Sequence, residues 1–255
     1  MIYAGIDAGS RTIKIVLLAA DGREVLAAAA IDQGVEQDAL ATNLLERLLA
    51  DCDLRRCDLG RVVATGYGRK LIGLATETVT EITCQARGVR RRLPEARTVI
   101  DVGGQDSKLL RLSAAGRVDE FVMNDRCAAG TGRFLEVLAT RLGVRLQALG
   151  ELAAGSRAPA VISSMCVVFA ETEIVGLLAS RAAPADIVAG VQASLAARIV
   201  TMVGRHAAAP IVFTGGVALV PGMDAALQAA LGKPVTIAPD PQMTGALGAA
   251  ILAAG

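Results

Sequence analysis

The spacing of apolar residues at the start of the chain predicts three short strands. Apolar runs at residues 2–6 and 13–18 flank a small polar turn, and Asp21-Gly22 gives a second turn signal before the apolar run at residues 25–31. A dinucleotide-binding fold would enter a helix directly after its glycines, and the Walker pattern GxxxxGK[ST] is missing here. The pattern therefore predicts strand, turn, strand, turn, strand.

Further along, helical spacing alternates with short apolar runs, which predicts an α/β fold. The predicted helices are residues 39–49, 81–92, 134–142, 146–154, 168–180, 185–205 and a final helix that opens at residues 244–250. The predicted later strands are residues 62–65, the segments between residues 98 and 122, and a run from Ile211 that ends in Gly215-Gly216.

The first strand pair occurs twice. Residues 100–108 repeat residues 6–14, with Asp, Gly and Lys at matching positions, and a Gly-Arg pair follows each copy at the same distance. Pro94 lies between the two copies. We therefore predict a first domain at residues 1–94, onto which a C-terminal helix at residues 242–255 packs back, and a second domain at residues 95–241.

Composition narrows the classes of function. The 255 residues carry a net charge of +1 and only 2% aromatic side chains, so the chain lacks both the basic surface and the stacking platforms of a nucleic-acid binder. The long uncharged runs are interrupted by Gly and Pro or built of Ala, and no secretory leader is recognisable. We expect a soluble, cytoplasmic protein with no membrane partner.

The duplicated turns suggest a nucleotide site. An Asp-x-Gly turn between antiparallel strands can bind phosphate with its backbone N–H groups, because Gly lets the main chain come close. Asp7 and Asp101 each begin such a turn and are placed to hold Mg²⁺, through water. Two facing turns would bind a triphosphate, and the bare Gly215-Gly216 turn could admit a flat adenine.

Two cysteines suggest a metal or redox site. Cys127 and Cys166 each lie in a small polar turn before a helix-like run, where a helix start would favour an anionic thiolate. Two thiolates are too few for an iron–sulfur cluster or a structural zinc, each of which takes four ligands, but a two-fold symmetric dimer would supply four. The alternative is that such cysteines are small buried hydrophobes, which is the default for Cys52, Cys57 and Cys84.

The ordered set of turns resembles a known superfamily. Asp7-Ala8-Gly9-Ser10, Asp101-Val102-Gly103-Gly104, Thr214-Gly215-Gly216 and Gly245-Ala246-Leu247-Gly248 resemble the turns of the actin/hexokinase/heat-shock-70 ATPases. With the cysteine motifs at residues 124–135 and 163–171, the chain is similar over nearly its whole length to the activators of 2-hydroxyacyl-CoA dehydratases and the ATPase subunits of benzoyl-CoA reductase.

This resemblance implies duplicated ribonuclease-H-like domains with ATP in the interdomain cleft. It also implies a homodimer in which Cys127 and Cys166 of both subunits hold one [4Fe-4S] cluster. Such a protein takes an electron from reduced ferredoxin or flavodoxin and, with ATP hydrolysis, passes it to an iron–sulfur dehydratase or reductase.

With ATP in the cleft, we also predict roles for single residues. Asp101 would orient water and Mg²⁺ near the γ-phosphate, Asp7 would share the metal, and Gln105 would position the attacking water. Lys14 and Lys108 either neutralise phosphate charge or are surface ends of strands. The residues expected to bind ATP lie in or beside the four turns and are Gly9, Ser10, Arg11, Thr12, Lys14, Gly103, Gly104, Gln105, Gly215, Gly216, Val217 and Gly245.

Two other functions use the same turns. A small-molecule kinase, such as an amino-sugar kinase, would need a base and a pocket for an acceptor hydroxyl, and it leaves the paired cysteine motifs unexplained. A non-enzymatic actin-like scaffold would form filaments with rising concentration, whereas a discrete dimer would count against it.

Overall fold

The computed structural model describes residues 1–164, 166–203 and 207–255, and it divides the chain into two compact units. The first unit comprises Met1–Glu95, Leu112–Val118 and Ala238–Gly255. The second unit comprises Ala96–Arg111 and Asp119–Ile237. That each unit is a domain in its own right stays a prediction. The end of the predicted helix 185–205 lies partly outside the described residues.

The first unit is built on a five-stranded mixed sheet of order β3-β2-β1-β4-β5. Strand β2 is antiparallel to β1 and β3, whereas β4 is parallel to β1 and β5. The strands are β1 (Ile2–Ala8), β2 (Thr12–Leu18), β3 (Val25–Asp32), β4 (Leu59–Thr65) and β5 (Glu77–Thr78), and the helices are α1 (Gln37–Asp51), α2 (Glu81–Arg92) and α8 (Thr244–Ala254).

The alternation of side chains along β2 explains how helices cover both faces of this sheet. Ile13 and Ile15 lie in one buried cluster with the leucines of α1, whereas Val16 and Leu18 lie in another with Ala246 and its neighbours on α8. Successive side chains of a strand point to opposite faces, so a strand with both sets apolar needs a cover on each side. Each fully buried Leu or Ile contributes about 1.5–3 kcal/mol.

Helix α8 comes unusually close to β1. A Cβ built on Gly5 would lie 2.1 Å from the carbonyl oxygen of Ala246, so only Gly is compatible with this backbone approach. The helix runs antiparallel to the strand, which places its first turn, with Gly245, beside Asp7 at the end of β1. The C-terminal segment thereby helps to build the site.

The second unit repeats the same sheet topology, with the order β10-β9-β6-β7-β8. Strand β6 is antiparallel to β7 and parallel to β9, as β1 is to β2 and β4. The strands are β6 (Thr98–Val102), β7 (Ser107–Leu112), β8 (Val118–Asn124), β9 (Ile211–Thr214) and β10 (Val235–Ile237), and the helices are α3 (Gly132–Leu142), α4 (Ala148–Ala154), α5 (Val167–Ala179), α6 (Pro184–Val203) and α7 (Met223–Leu231). The predicted duplication is confirmed, and α7 is an element that the sequence analysis did not predict.

Helix α6 is the central helix of the second unit's core. Ile187, Val191, Leu195 and Ile199 recur at a spacing of four and are 0–1% exposed, packed with residues of α3, α5, α7 and the sheet. In the described part of the chain, residues Pro184–Met202 of this helix are long and apolar enough to cross a membrane by length and composition. Because this apolar stripe is buried inside the second unit, α6 is a core helix of that unit.

Candidate functional site

The first turn closes the end of the β1–β2 hairpin around Asp7. Asp7 pairs in register with Lys14, and the Gly9 N–H donates to the Thr12 carbonyl at 3.1 Å. The Lys14 ammonium lies 3.0 Å from Asp7 Oδ2, with the two side chains 15% and 12% exposed. Asp7 Oδ1 is buried and has no hydrogen-bond partner among the described residues. A buried, unsatisfied carboxylate oxygen is costly, so it suits a bound water or cation.

The second turn has the same design around Asp101. Asp101 pairs in register with Lys108, and the Gly103 N–H donates to the Asp106 carbonyl at 2.9 Å. The Lys108 ammonium lies 2.8 Å from Asp106 Oδ2 and 3.8 Å from Asp101 Oδ2. Lys108 is 3% exposed, so it is an interior charge of the turn and not a surface strand end. The same holds for Lys14, whose side chain is mostly covered.

A glycine with positive φ presses against each of these carboxylates. Gly66 and Gly215 both have a φ of 90°. A Cβ on Gly66 would lie 2.5 Å from Asp7 Oδ1, and one on Gly215 would lie 2.6 Å from Asp101 Oδ1. Only a residue without a side chain allows the strand end to support the aspartate at this distance.

The remaining predicted ATP-binding residues lie at the ends of these strands or at a helix start. Gly245 is in the first turn of α8, and its Cβ position is 3.2 Å from Asp7 Oδ2, where the helix dipole favours a negative charge. Gly216 and Val217 open the short 3-10 helix Gly216–Leu219 after β9, and nothing lies within 4 Å of a Cβ on Gly216. Ser10, Arg11, Thr12 and Gly104 lie on the turns or next to them, as does the exposed Gln105.

Cys127 lies in the connection between β8 and α3 and is exposed. Its N–H donates to Asn124 Oδ1 at 3.0 Å, and its carbonyl accepts from Asn124 Nδ2 at 2.9 Å. A 3-10 turn, Ala128–Gly130, follows, and α3 begins only at Gly132. Cys127 is the N-cap residue of that 3-10 turn, as expected of a helix start, whereas the α-helix α3 has Thr131 as its own N-cap.

Cys166 is exposed and occupies the N-cap position of α5, so the helix start predicted there is confirmed. Glu173, two turns into α5, accepts hydrogen bonds from Ser163 N, Ser163 Oγ and Ser164 N at 2.9, 2.8 and 2.9 Å. Burial raises the pKa of the Glu173 carboxyl, but these hydrogen bonds outweigh it and lower the pKa to about 2. The segment before Cys166 is thus held by its own helix, although Met165 lies outside the described residues.

Arg198 of α6 holds the same segment from the other side. Its guanidinium donates to the Ser164 carbonyl and to Ser194 Oγ, both at 2.6 Å, and lies 5.6 Å from the centroid of the Phe134 ring. Neither Glu173 nor Arg198 was singled out from the sequence, because each is a common helix-surface residue whose partner is fixed only by folding.

Of the other three cysteines, Cys84 is buried as expected, and burial raises the pKa of its thiol to about 11. Cys52 is partly covered. The expectation of a buried side chain is wrong for Cys57, which is exposed like Cys127 and Cys166 but lies in the first unit. All five cysteines are free. Within the described ranges no group of three or more His, Cys, Asp and Glu side chains could hold a metal ion, so Cys127 and Cys166 form at most half of a four-thiolate set.

Comparison with known proteins identifies the family. The model of the BadF/BadG/BcrA/BcrD ATPase family matches residues 4–253. The chain belongs to this family. It is 41% identical over 254 residues to the 2-hydroxyisocaproyl-CoA dehydratase activator of Clostridioides difficile, which covers 99% of this chain and 95% of the relative. It is equally identical over the same length to the activator of lactoyl-CoA dehydratase of Anaerotignum propionicum, which covers 99% and 97%.

A solved structure of this family carries the same fold. The activator of the 2-hydroxyisocaproyl-CoA dehydratase from Clostridium difficile with bound ADPNP superposes with a TM-score of 0.95 at 40% identity, over 100% of this chain and 94% of that one. The predicted family and the predicted actin-like ATPase fold are confirmed. The protein is accordingly an ATPase-family member with two equivalent Asp-x-Gly turns.

Thr65 and Gly66 belong beside the first turn of this ATPase-family fold, but the sequence analysis did not assign them to the site. Thr65-Gly66 ends β4 as Thr214-Gly215 ends β9, and Asp7 and Asp101 pair with these threonines in the parallel register. The signal was present, because both pairs follow a short apolar strand. Extending the repeat search to the fourth strand of each unit would have found it.

Proposed function

We propose that this protein is an ATP-dependent activator that reduces a partner iron–sulfur enzyme by one electron. It would use ATP hydrolysis to drive low-potential electron transfer from ferredoxin or flavodoxin to an acceptor such as a 2-hydroxyacyl-CoA dehydratase, in the cytoplasm. The observation that carries this proposal is that two free, exposed cysteines, Cys127 and Cys166, share one unit with the Asp101 turn. Family membership and the names of the relatives support it.

ATP binding is assigned to the two turns. The backbone N–H groups after Asp7 and Asp101 would bind phosphate oxygens, and Lys14 and Lys108 would neutralise part of their charge. Asp101 and Asp7 would hold Mg²⁺ through water, which fits the buried and unsatisfied Oδ1 of Asp7. Gln105 is exposed on its turn and would position the attacking water.

The donor set around the cysteines fits a shared [4Fe-4S] cluster. Both thiols are free and exposed, and thiolates are the usual ligands of such clusters. Two copies of the chain would supply four thiolates, so Cys127 and Cys166 of each subunit would hold one cluster per homodimer. When bound, the cluster supplies one-electron redox chemistry.

The surface beside the two cysteines supports association with another protein. Val168 and Phe169, just after Cys166, are 66% and 69% exposed, and Phe121 and Met123, shortly before Cys127, are 53% and 44% exposed. Exposed apolar side chains mark an interaction surface where they adjoin one another, as Val168 and Phe169 do in the sequence. We assign them to the contacts with the second subunit and the acceptor enzyme.

The test is to purify the protein without oxygen and measure iron, sulfide and oligomeric mass. We expect about four irons per dimer, because one [4Fe-4S] cluster is shared. Cys127→Ala and Cys166→Ala should each lose the iron. Cys57→Ala is the matched control, since Cys57 is also exposed but lies in the first unit.

ATP hydrolysis and electron transfer to an acceptor dehydratase are measured on the same samples. An iron-free monomer that hydrolyses ATP, or that phosphorylates an amino sugar, would overturn the proposal. Loss of iron from the Cys57 variant would show instead that cluster binding is not confined to the assigned pair.

A further inference from the structure

We propose that Thr131 couples the second phosphate turn to Cys127, so that a nucleotide bound at this turn changes the position of Cys127. The proposal rests on the function assigned above, because it requires ATP at the Asp101 turn. It names the contact through which that site would act on the cysteine segment.

The side chain of Thr131 joins the two segments directly. Thr131 is 0% exposed, and its hydroxyl lies 3.1 Å from the carbonyl oxygen of Gly104 and 2.8 Å from that of Ala128. A hydroxyl carries one hydrogen, so Thr131 can donate fully to only one of these carbonyls. One acceptor belongs to the phosphate turn and the other to the turn that follows Cys127. The two segments therefore compete for the one hydrogen of this hydroxyl.

The helix start adds two backbone contacts to the same turn. Gly132 N donates to the Gly103 carbonyl at 2.8 Å, and Arg133 N donates to the Gly104 carbonyl at 2.9 Å. The peptide unit is planar, so the Gly103 carbonyl and the Gly104 N–H rotate together. A phosphate that draws the Gly104 N–H toward itself must therefore also rotate the Gly103 carbonyl, which accepts a hydrogen bond from Gly132 N at the start of α3.

Further hydrogen bonds hold the segment between Asn124 and Thr131, which contains Cys127. Asn124 holds both the N–H and the carbonyl of Cys127, and Ser107 Oγ donates to the Gly130 carbonyl at 2.7 Å. Ser107 is the first residue of β7, immediately after the phosphate turn. A movement of that turn therefore reaches the short segment around Cys127 at two points.

Among the residues that the structure describes, no helix N-terminus donates to the Gly9 carbonyl of the first turn. This carbonyl accepts from the side chain of Gln33 at 2.7 Å instead. The coupling is therefore expected of the second turn alone.

The experiment measures the alkylation rate of Cys127 in the reduced, iron-free full-length chain, with and without a non-hydrolysable ATP analogue. Peptide mass spectrometry follows each cysteine, and Cys57 in the first unit is the internal reference. Coupling of the usual size would change the Cys127 rate by at least about fivefold on nucleotide binding. Thr131→Val should bring the ratio close to one, whereas Thr131→Ser keeps the hydroxyl and should restore it.

The outcomes separate this inference from the proposed function. If the analogue does not bind, the proposed ATP site fails, and the coupling that rests on it fails too. If it binds and the wild-type Cys127 rate does not change, only the coupling is overturned. If Thr131→Val keeps the wild-type ratio, the contact is not Thr131. Should Thr131→Val not fold, Ser107→Ala removes the hydrogen bond to Gly130 and must lower the ratio, or the path is wrong.

Discussion

Replacing Gly215 by Ala should destabilise the second unit far more than the same change one residue later. Gly215 has φ 90° and ψ 175°, a backbone conformation that is almost restricted to Gly. An added Cβ would lie 2.4 Å from the Val102 carbonyl oxygen and 2.6 Å from Asp101 Oδ1. Gly216→Ala is the matched control, because nothing lies within 4 Å of its Cβ position.

The magnitude follows from two costs. Backbone strain of this kind costs about 1–3 kcal/mol, and forcing an extra methyl against a fixed strand costs about 1–3 kcal/mol, so Gly215→Ala should lose about 2–6 kcal/mol. For a chain of this size that lowers the thermal midpoint by about 4–24 °C. Gly216→Ala should stay within about 0.5 kcal/mol of wild type.

The assay is thermal unfolding followed by circular dichroism, together with ATP binding at a temperature where the variant is folded. Gly66→Ala should repeat the loss, because a Cβ there would lie 2.5 Å from the Ala8 carbonyl oxygen. A Gly215→Ala midpoint equal to that of Gly216→Ala would refute the argument that these glycines hold the aspartate in place.

Three further outcomes are expected. The pKa of Glu173 is held at about 2, below its usual 4.5, so its stabilising effect is complete above pH 4.5 and is lost as the pH falls toward 2. Thermal midpoints of Glu173→Gln should thus be lower than wild type near neutrality but fall less on acidification, and parallel pH profiles would contradict this. Lys14→Met removes the ammonium that lies 3.0 Å from Asp7. Because hydrogen bonds to charged groups contribute about 1.5–3 kcal/mol, we expect the ATP affinity measured by calorimetry to fall about tenfold or more. An unchanged affinity would contradict this role of Lys14. Cys84, buried with a pKa raised to about 11, should resist iodoacetamide in the native protein while Cys57 reacts, and rapid native labelling of Cys84 would show that its burial is wrong.

Much of the fold could be predicted because the local spacing of apolar residues indicates where helices and strands form. The alternation in β2 and the leucine spacing of α1 need no distant information, and the predicted helix at residues 81–92 matches α2 at both ends. Helix α7 was missed because it is a short, Ala-rich helix between glycines, and its apolar face is defined mainly by what it packs against. The repeat of Asp7 and Asp101 was visible because hairpin turns constrain neighbouring residues.

The parts of the site that could not be predicted depend on contacts between distant residues. Thr131 looks like an ordinary helix cap, and only the fold places its hydroxyl next to Gly104, which is 27 residues earlier. The hydrogen bond from the Arg198 guanidinium to the Ser164 carbonyl joins residues that are 34 positions apart in the sequence. No periodicity encodes such pairs, because they are set by how helices pack on the sheet.

The two units also show how one repeated scaffold accommodates two different loops. Both halves keep the aspartate, the lysine and the Thr-Gly pair, but the connection after the third strand is residues 33–36 in one half and residues 125–131 in the other. The longer connection carries Cys127 and starts from the same sheet position. A difference in the length of one loop is therefore enough to place a cysteine beside one of two otherwise equivalent phosphate turns.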